Sequence, residues 1–240
     1  MATQRARPPS PSDKKQNECA NQILAGLPKR EWDQLQPKLR RVEFELRDVL
    51  YQAESELDAA YFVEAGLISL IAVMRTGEEL EVGVVGREGL VGAEIALGGL
   101  VATRRTLVQG TPMVAYRISA ESLRRAFRDL PEFQGRVLRF VRGQSLMASQ
   151  TAACNALHDV EERLAKWLLM CRDRADGDML PLTQEFLATM LGVRRTTVTL
   201  VAATLHDSGS IEYRRGKITI LKRNLLEKAS CECYEVLRQR

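Results

Sequence analysis

Histidine and cysteine are scarce in this chain, and their scarcity closes most routes to catalysis. Of 240 residues, 2 are histidine (His158, His206) and 5 are cysteine (Cys19, Cys154, Cys171, Cys231, Cys233). The segment 42–119 contains neither. No Ser-His-Asp set or phosphate loop occurs, so carboxylates alone would be left to act as acid or base. No catalytic residue is assigned, and the chain is read as a non-enzyme. The cysteines are odd in number and scattered, unlike the paired framework of a small secreted domain, and are expected to be reduced thiols. Cys231-Glu-Cys233 is the one close pair; it is shorter than the C-x-x-C of zinc and redox motifs, and no metal site is assigned. Long apolar runs are missing too. No stretch approaches the ~18 residues of a membrane span, and the start, with Arg5, Arg7, Pro8, Pro9 and Pro11, lacks the apolar core of a signal peptide. The expected location is the cytoplasm, with no membrane partner.

Proline is low, at 8 residues, while 45% of the chain is hydrophobic, which argues for packed domains rather than disorder. The length suits two domains and a connector, and the formal charge of +4 permits an anionic partner without requiring one. Residues 1–20, basic and proline-rich, read as a flexible arm. Residues 21–130 begin with short helical patterns between Ile23 and Leu39, broken by Pro28 and Pro37. They continue as apolar or alternating runs at 42–51, 60–74, 80–85, 106–109 and 113–118, with glycines between them. Short strands at this spacing predict a small antiparallel β-roll.

Helical periodicity takes over at Ser119, with Pro131 opening a long helix over 131–158. Phe133, Val137, Phe140, Gln144, Met147, Thr151, Cys154 and His158 recur at alternating four- and three-residue steps, as in a heptad seam. The same stripe would serve a helix packed on its own barrel. Gln144 and Thr151 suit polar register positions, so Phe133, Val137, Phe140, Gln144, Met147 and Thr151 are assigned to the seam of a parallel homodimer. Asp159 then N-caps a further helix, with a turn at Asp176-Gly177-Asp178, and 159–240 forms the last domain.

Residues 182–210 parse as helix, turn, helix. Thr183 is a hydroxyl N-cap; Phe186, Leu187, Met190 and Leu191 form an inward face; Gly192 supplies the left-handed corner, and Val193 plugs it. Val198, Val201 and Leu205 continue the core. This leaves Arg194, Arg195, Thr196, Thr197 and Thr199 outside at the start of the second helix. Such a set, with Thr183 counted among the expected DNA-binding residues, suits the major groove of double-stranded DNA, where arginine grips guanine bidentately and threonine offers a hydroxyl and a methyl. Two strand-like runs follow, joined by a basic turn. Arg214, Arg215, Lys217, Lys222 and Arg223 place five cations in ten residues with no acid, and Arg214, Arg215 and Lys217 are expected to meet phosphates.

Taken together, the β-roll, long helix, Asp159 hinge and winged motif resemble the Crp/Fnr family over roughly residues 25–225. The 182–211 segment fits the family pattern without a gap, through Arg195, Thr197 and Val198. Arg194 stands where Ser is usual, Thr196 where Glu is usual, and Leu200 where a second Arg often sits. The fold this implies is α+β: a cyclic-nucleotide-binding-like jelly roll, a dimerisation helix and a C-terminal winged helix-turn-helix. The function it implies is a homodimeric transcription regulator on a near-palindromic site, with RNA polymerase as a further partner. The other reading is a sensor module acting through a protein partner. Tyr61 to Gly66 resembles the family's strand before its turn glycine, and Val85 to Gly92 occupies the phosphate-cassette region. The effector residues this implies are Gly92, Glu94, Arg104 and Arg105. They depart from the cyclic-AMP pattern: Gly92-Ala93-Glu94 replaces Gly-Glu, and Thr106 is offset from the arginine. A cyclic nucleotide is therefore an optional effector, and no cofactor is required. An iron–sulfur cluster is excluded for want of N-terminal cysteines beyond Cys19, and His158 and His206 read as structural rather than haem-ligating.

Overall fold

The computed structural model describes residues 16–174 and 177–238. Most of the arm expected over 1–20 lies outside them, as does Asp176 of the expected turn. Two compact units emerge. One runs up to Leu70 and takes in Val84–Arg142; the other joins Ile71–Gly83 to everything from Gly143 onward.

The first unit opens on helices α1 (Gln22–Ala25) and α2 (Lys29–Leu35). The strands that follow are β1 (Arg40–Phe44), β2 (Val49–Tyr51), β3 (Ala59–Val73), β4 (Glu79–Val85), β5 (Leu90–Val91) and β6 (Arg105–Ser119), of which the end of β3 and most of β4 fall in the second unit. They form a sheet in the order β1-β6-β3-β4, with β2 added to β6 and β5 to β3. The β1–β6 register is antiparallel, from Arg40 opposite Arg117 to Phe44 opposite Met113. Two expectations about strands are corrected here. The run 42–51 is broken between β1 and β2, where Arg47 takes a positive φ of 73°. The runs 106–109 and 113–118 are a single strand, because Gly110, at φ 74°, bends the chain without ending the pairing.

The apolar core of this unit is built on Phe62, Leu67, Ile68, Leu90, Ile95, Met113, Ile118 and Leu123, all fully buried. Gly66, at φ 91°, is required where β3 crosses β6, since a Cβ there would stand 2.9 Å from both the Pro112 carbonyl and Met113 Cα. Helix α3 (Ala120–Asp129) starts at Ser119, whose hydroxyl accepts from the Ser122 amide. The 27-residue α4 (Pro131–Leu157) follows. Its first amides are satisfied by a carboxylate from α2: Glu31 accepts from Glu132 N at 3.1 Å and from Phe133 N at 2.8 Å. The Phe133 ring then packs edge-on against Phe62, with centroids 6.0 Å apart.

That contact corrects the dimer seam. Phe133 and Val137 have no exposed surface within the single chain, so they belong to its own core and cannot meet a partner helix. Phe140 lies so near Gly89 that a Cβ there would clash with its ring. Gln144 and Thr151 are half-buried, and Met147 is buried.

In the second unit, helix α5 (Val160–Arg172) begins with a complete capping box between Asp159 and Glu162. Then come β7 (Met179–Leu180), α6 (Gln184–Leu191), α7 (Arg195–Asp207), β8 (Ile211–Arg214), β9 (Lys217–Ile220), α8 (Arg223–Ala229) and α9 (Cys233–Arg238). The three strands pair as β7-β9-β8. Leu164, Leu168, Leu187, Val198, Leu205, Ile211, Ile218 and Leu226 close the core between helices and sheet.

Candidate nucleic-acid interface

Thr183 accepts a hydrogen bond from the Phe186 amide at 3.2 Å and so starts α6 where its sequence places it. Leu187, Met190 and Leu191 are buried, while Phe186 is half-buried against Trp167, its ring centroid 6.4 Å away. Gly192 ends the helix in the left-handed conformation, at φ 64° and ψ 40°. The chain then turns through 105° into α7, within the range of DNA-reading helix pairs. From α5, the buried Arg163 donates to the Leu191 carbonyl at the corner, at 2.5 Å. Burial holds this guanidinium below its ordinary pKa.

On α7 the inward stripe is Val198, Ala202 and Leu205. Arg194, Arg195, Thr196 and Thr199 stand exposed at the N-terminal end, where the amide dipoles also favour an anion. Thr197 is half-buried on the flank. Leu200 is 70% exposed on the same outer side. Gln184, which sequence reading passed over, joins this surface: its Oε1 accepts from the Thr199 hydroxyl at 3.0 Å, tying the first helix to the second. Its signal lay in its place just after the cap, at the first residue of α6.

The wing is a two-residue hairpin. Arg214 pairs with Lys217, leaving Arg215 and Gly216 as the turn at φ 48° and 75°. Positive φ at both positions defines a type I′ turn, which prefers Asn-Gly or Gly-Gly. Thr183 lies beneath it, with its methyl 3.4 Å from where a Gly216 Cβ would stand. Arg215 and Lys217 point to solvent; Arg214 is ion-paired to Glu212 at 2.9 Å while remaining 82% exposed. Arg223 does not belong to this patch. It is held by Asp173 at 2.7 Å, by Glu227 at 2.8 Å and by the Tyr234 hydroxyl, so counting charges along the sequence overstated the wing by one.

The residues expected to take an effector sit in the first unit. Gly92 is left-handed at φ 83°, and a Cβ there would stand 2.9 Å from the Ala59 carbonyl. Glu94 and Arg104 are joined to each other at 2.6 Å, each about one-third exposed. Arg105 opens β6, half-buried. The Thr106 hydroxyl accepts from the Tyr51 amide at 2.9 Å, so it serves the sheet.

A roll of antiparallel strands, a long helix and a winged helix-turn-helix define a sensor-type transcription regulator. Residues 41–129 match the cyclic nucleotide-binding domain family, and residues 162–229 match the Crp-like helix-turn-helix domain. The chain belongs to the Crp/Fnr family of regulators, which are not enzymes. The global nitrogen regulator of a Nostoc species is 27% identical over 187 residues, 75% of this chain and 84% of that one. FixK2 from Bradyrhizobium japonicum superposes with a TM-score of 0.68 at 16% identity, over 80% of this chain and 98% of that chain. A CRP/FNR-family transcriptional regulator from Thermus thermophilus does so at 0.64 and 23% identity, over 79% and 97%. These two likenesses bear on the fold.

Proposed function

We propose that the chain acts as a homodimer on a near-palindromic DNA site, with α7 in the major groove and the wing on the flanking phosphates. The observation that carries this reading is the outer face of α7: Arg194, Arg195, Thr196 and Thr199 stand exposed at the helix start, while the apolar stripe behind them is fully buried. Arg195 and Thr196 read base edges. Arg215 and Lys217 contact the backbone and set salt dependence rather than sequence preference. The turn supports that role, since an arginine occupies a left-handed position that glycine or asparagine would fill at lower cost.

With Phe133 and Val137 occupied inside the chain, the pairing surface of α4 is its other side: Leu138, Ser145, Ala148 and Ala152, all exposed at near-heptad spacing. Small side chains there let two helices approach closely. Two subunits joined in this way present two recognition helices to successive major grooves about one helical turn apart.

Control enters through the roll. An anionic effector at residues 92–105 competes with Glu94 for Arg104, and its binding energy is what shifts the population between dimer arrangements. RNA polymerase is the partner through which a bound dimer acts on transcription. Selection of bound sequences from a random DNA pool, run with and without cyclic nucleotides, tests the reading. The expected result is an inverted repeat with half-sites a helical turn apart. Recovery of no enriched sequence under any of these conditions overturns it.

A further inference from the structure

Four side chains outside the candidate recognition set converge at the C-terminal end of α4. Cys154 and His158 lie four residues apart on one face of that helix, and Cys231 and Cys233 flank the start of α9. The ligand atoms of all four lie within 4.8 Å of one another. Cys154 Sγ is 3.6 Å from Cys231 Sγ, and Cys233 Sγ is 3.5 Å from His158 Nδ1. A zinc ion with bonds of ~2.3 Å to sulfur and ~2.0 Å to nitrogen spaces its tetrahedral ligands roughly 3.5–3.8 Å apart. The two distances fall on those edges. They are too long for a disulfide, whose sulfurs lie ~2.05 Å apart.

The surroundings also fit an ion. With Nδ1 facing the thiols, His158 turns Nε2 to Glu232 Oε2 at 3.2 Å, the carboxylate–histidine arrangement that orients metal-bound imidazoles. Gln150 Nε2 donates to Cys233 Sγ at 3.0 Å, a bond suited to a thiolate. A zinc with three thiolates and a neutral imidazole carries a net negative charge, and two buried cations, Lys166 and Arg163, act on these sulfurs. Inert core cysteines need neither cation nor imidazole beside them. A surface groove bordered by Ser230, Cys231 and Glu232 gives the ion a way in.

We propose that Cys154, His158, Cys231 and Cys233 form a Cys3His site for one zinc ion, which fastens α9 to the end of α4. Binding releases to solvent the protons the three thiols carry. The ion closes a covalent loop that contains α5, the helix-turn-helix and the wing, so the reading head is clipped at both ends to one helix.

The test is elemental analysis of the full chain, purified without chelator, followed by cobalt substitution. The expected result is one zinc per chain. Cobalt is expected to give the intense visible bands of a tetrahedral ion and thiolate charge transfer in the near ultraviolet. The double variant C231S/C233S is expected to lose both signals while C19S and C171S keep them, and Glu232→Gln to weaken zinc binding about 10–100-fold. Substoichiometric zinc after reconstitution, six-coordinate cobalt, a Cys154–Cys231 disulfide in freshly isolated protein, or an iron–sulfur absorption each overturns the proposal. None of these readouts involves DNA, so they are decided separately from the regulatory function.

Discussion

At the scale of single residues, the arginines and lysines of the second unit have different tasks, and their neighbours sort them. Arg223 is locked between two carboxylates and a phenol, whereas Arg195 and Lys217 are exposed, with no ion pair to either among the described residues. Arg195→Ala is expected to cost about 1–3 kcal/mol of affinity and to relax preference at one base position, read from binding to single-base variants of the selected site. Lys217→Ala is expected to weaken all sequences evenly. If both variants weakened every sequence alike, the division between base and phosphate contacts would be wrong. Arg215→Asn tests the wing separately. Asparagine suits the left-handed turn better, so thermal stability is expected to hold or rise, while the slope of log affinity against log salt falls by about 1.

Among the elements, the corner of the helix-turn-helix is the most demanding, because 105° must be turned over a few residues. Gly192→Ala places a Cβ at φ 64° and is expected to destabilise the domain by about 1–2 kcal/mol, measured by denaturant unfolding. No loss of stability would mean that the corner does not need glycine. This corner was legible in the sequence, since Thr183, Gly192 and the apolar spacing on both sides are local signals that act within a few residues. The long helix was legible in its existence but not in its partner. Periodicity shows that Phe133 and Val137 are covered without showing what covers them, and for Phe133 the answer lies at Phe62, 71 residues earlier. Cys231-Glu-Cys233 hid its partners for the same reason: the other half of that cluster is 77 residues away and reaches it only through tertiary packing. Glu94 and Arg104, both expected to hold an effector, bond each other.

For the whole molecule, the proposed pairing through α4 would link chain association to DNA affinity. Ala152→Glu puts a carboxylate on the exposed side of the helix without touching the buried stripe. Sedimentation is expected to show a shift from dimer toward monomer, with a steep loss of binding to the full inverted repeat and little change on a single half-site. An unchanged dimer would place the pairing surface elsewhere. In a dimer each recognition surface is used twice, so a change at one α7 position counts once per half-site.

Leu200 gives that arithmetic a chemical meaning. It is 70% exposed, on the same helix as the arginine and threonine proposed to read base edges. A hydrocarbon tip in a groove otherwise read by hydrogen bonds has one natural counterpart, the C5-methyl of thymine. Replacing thymine by uracil at the matching position in both half-sites is expected to weaken binding. Replacing cytosine by 5-methylcytosine at that position is expected to restore part of the contact.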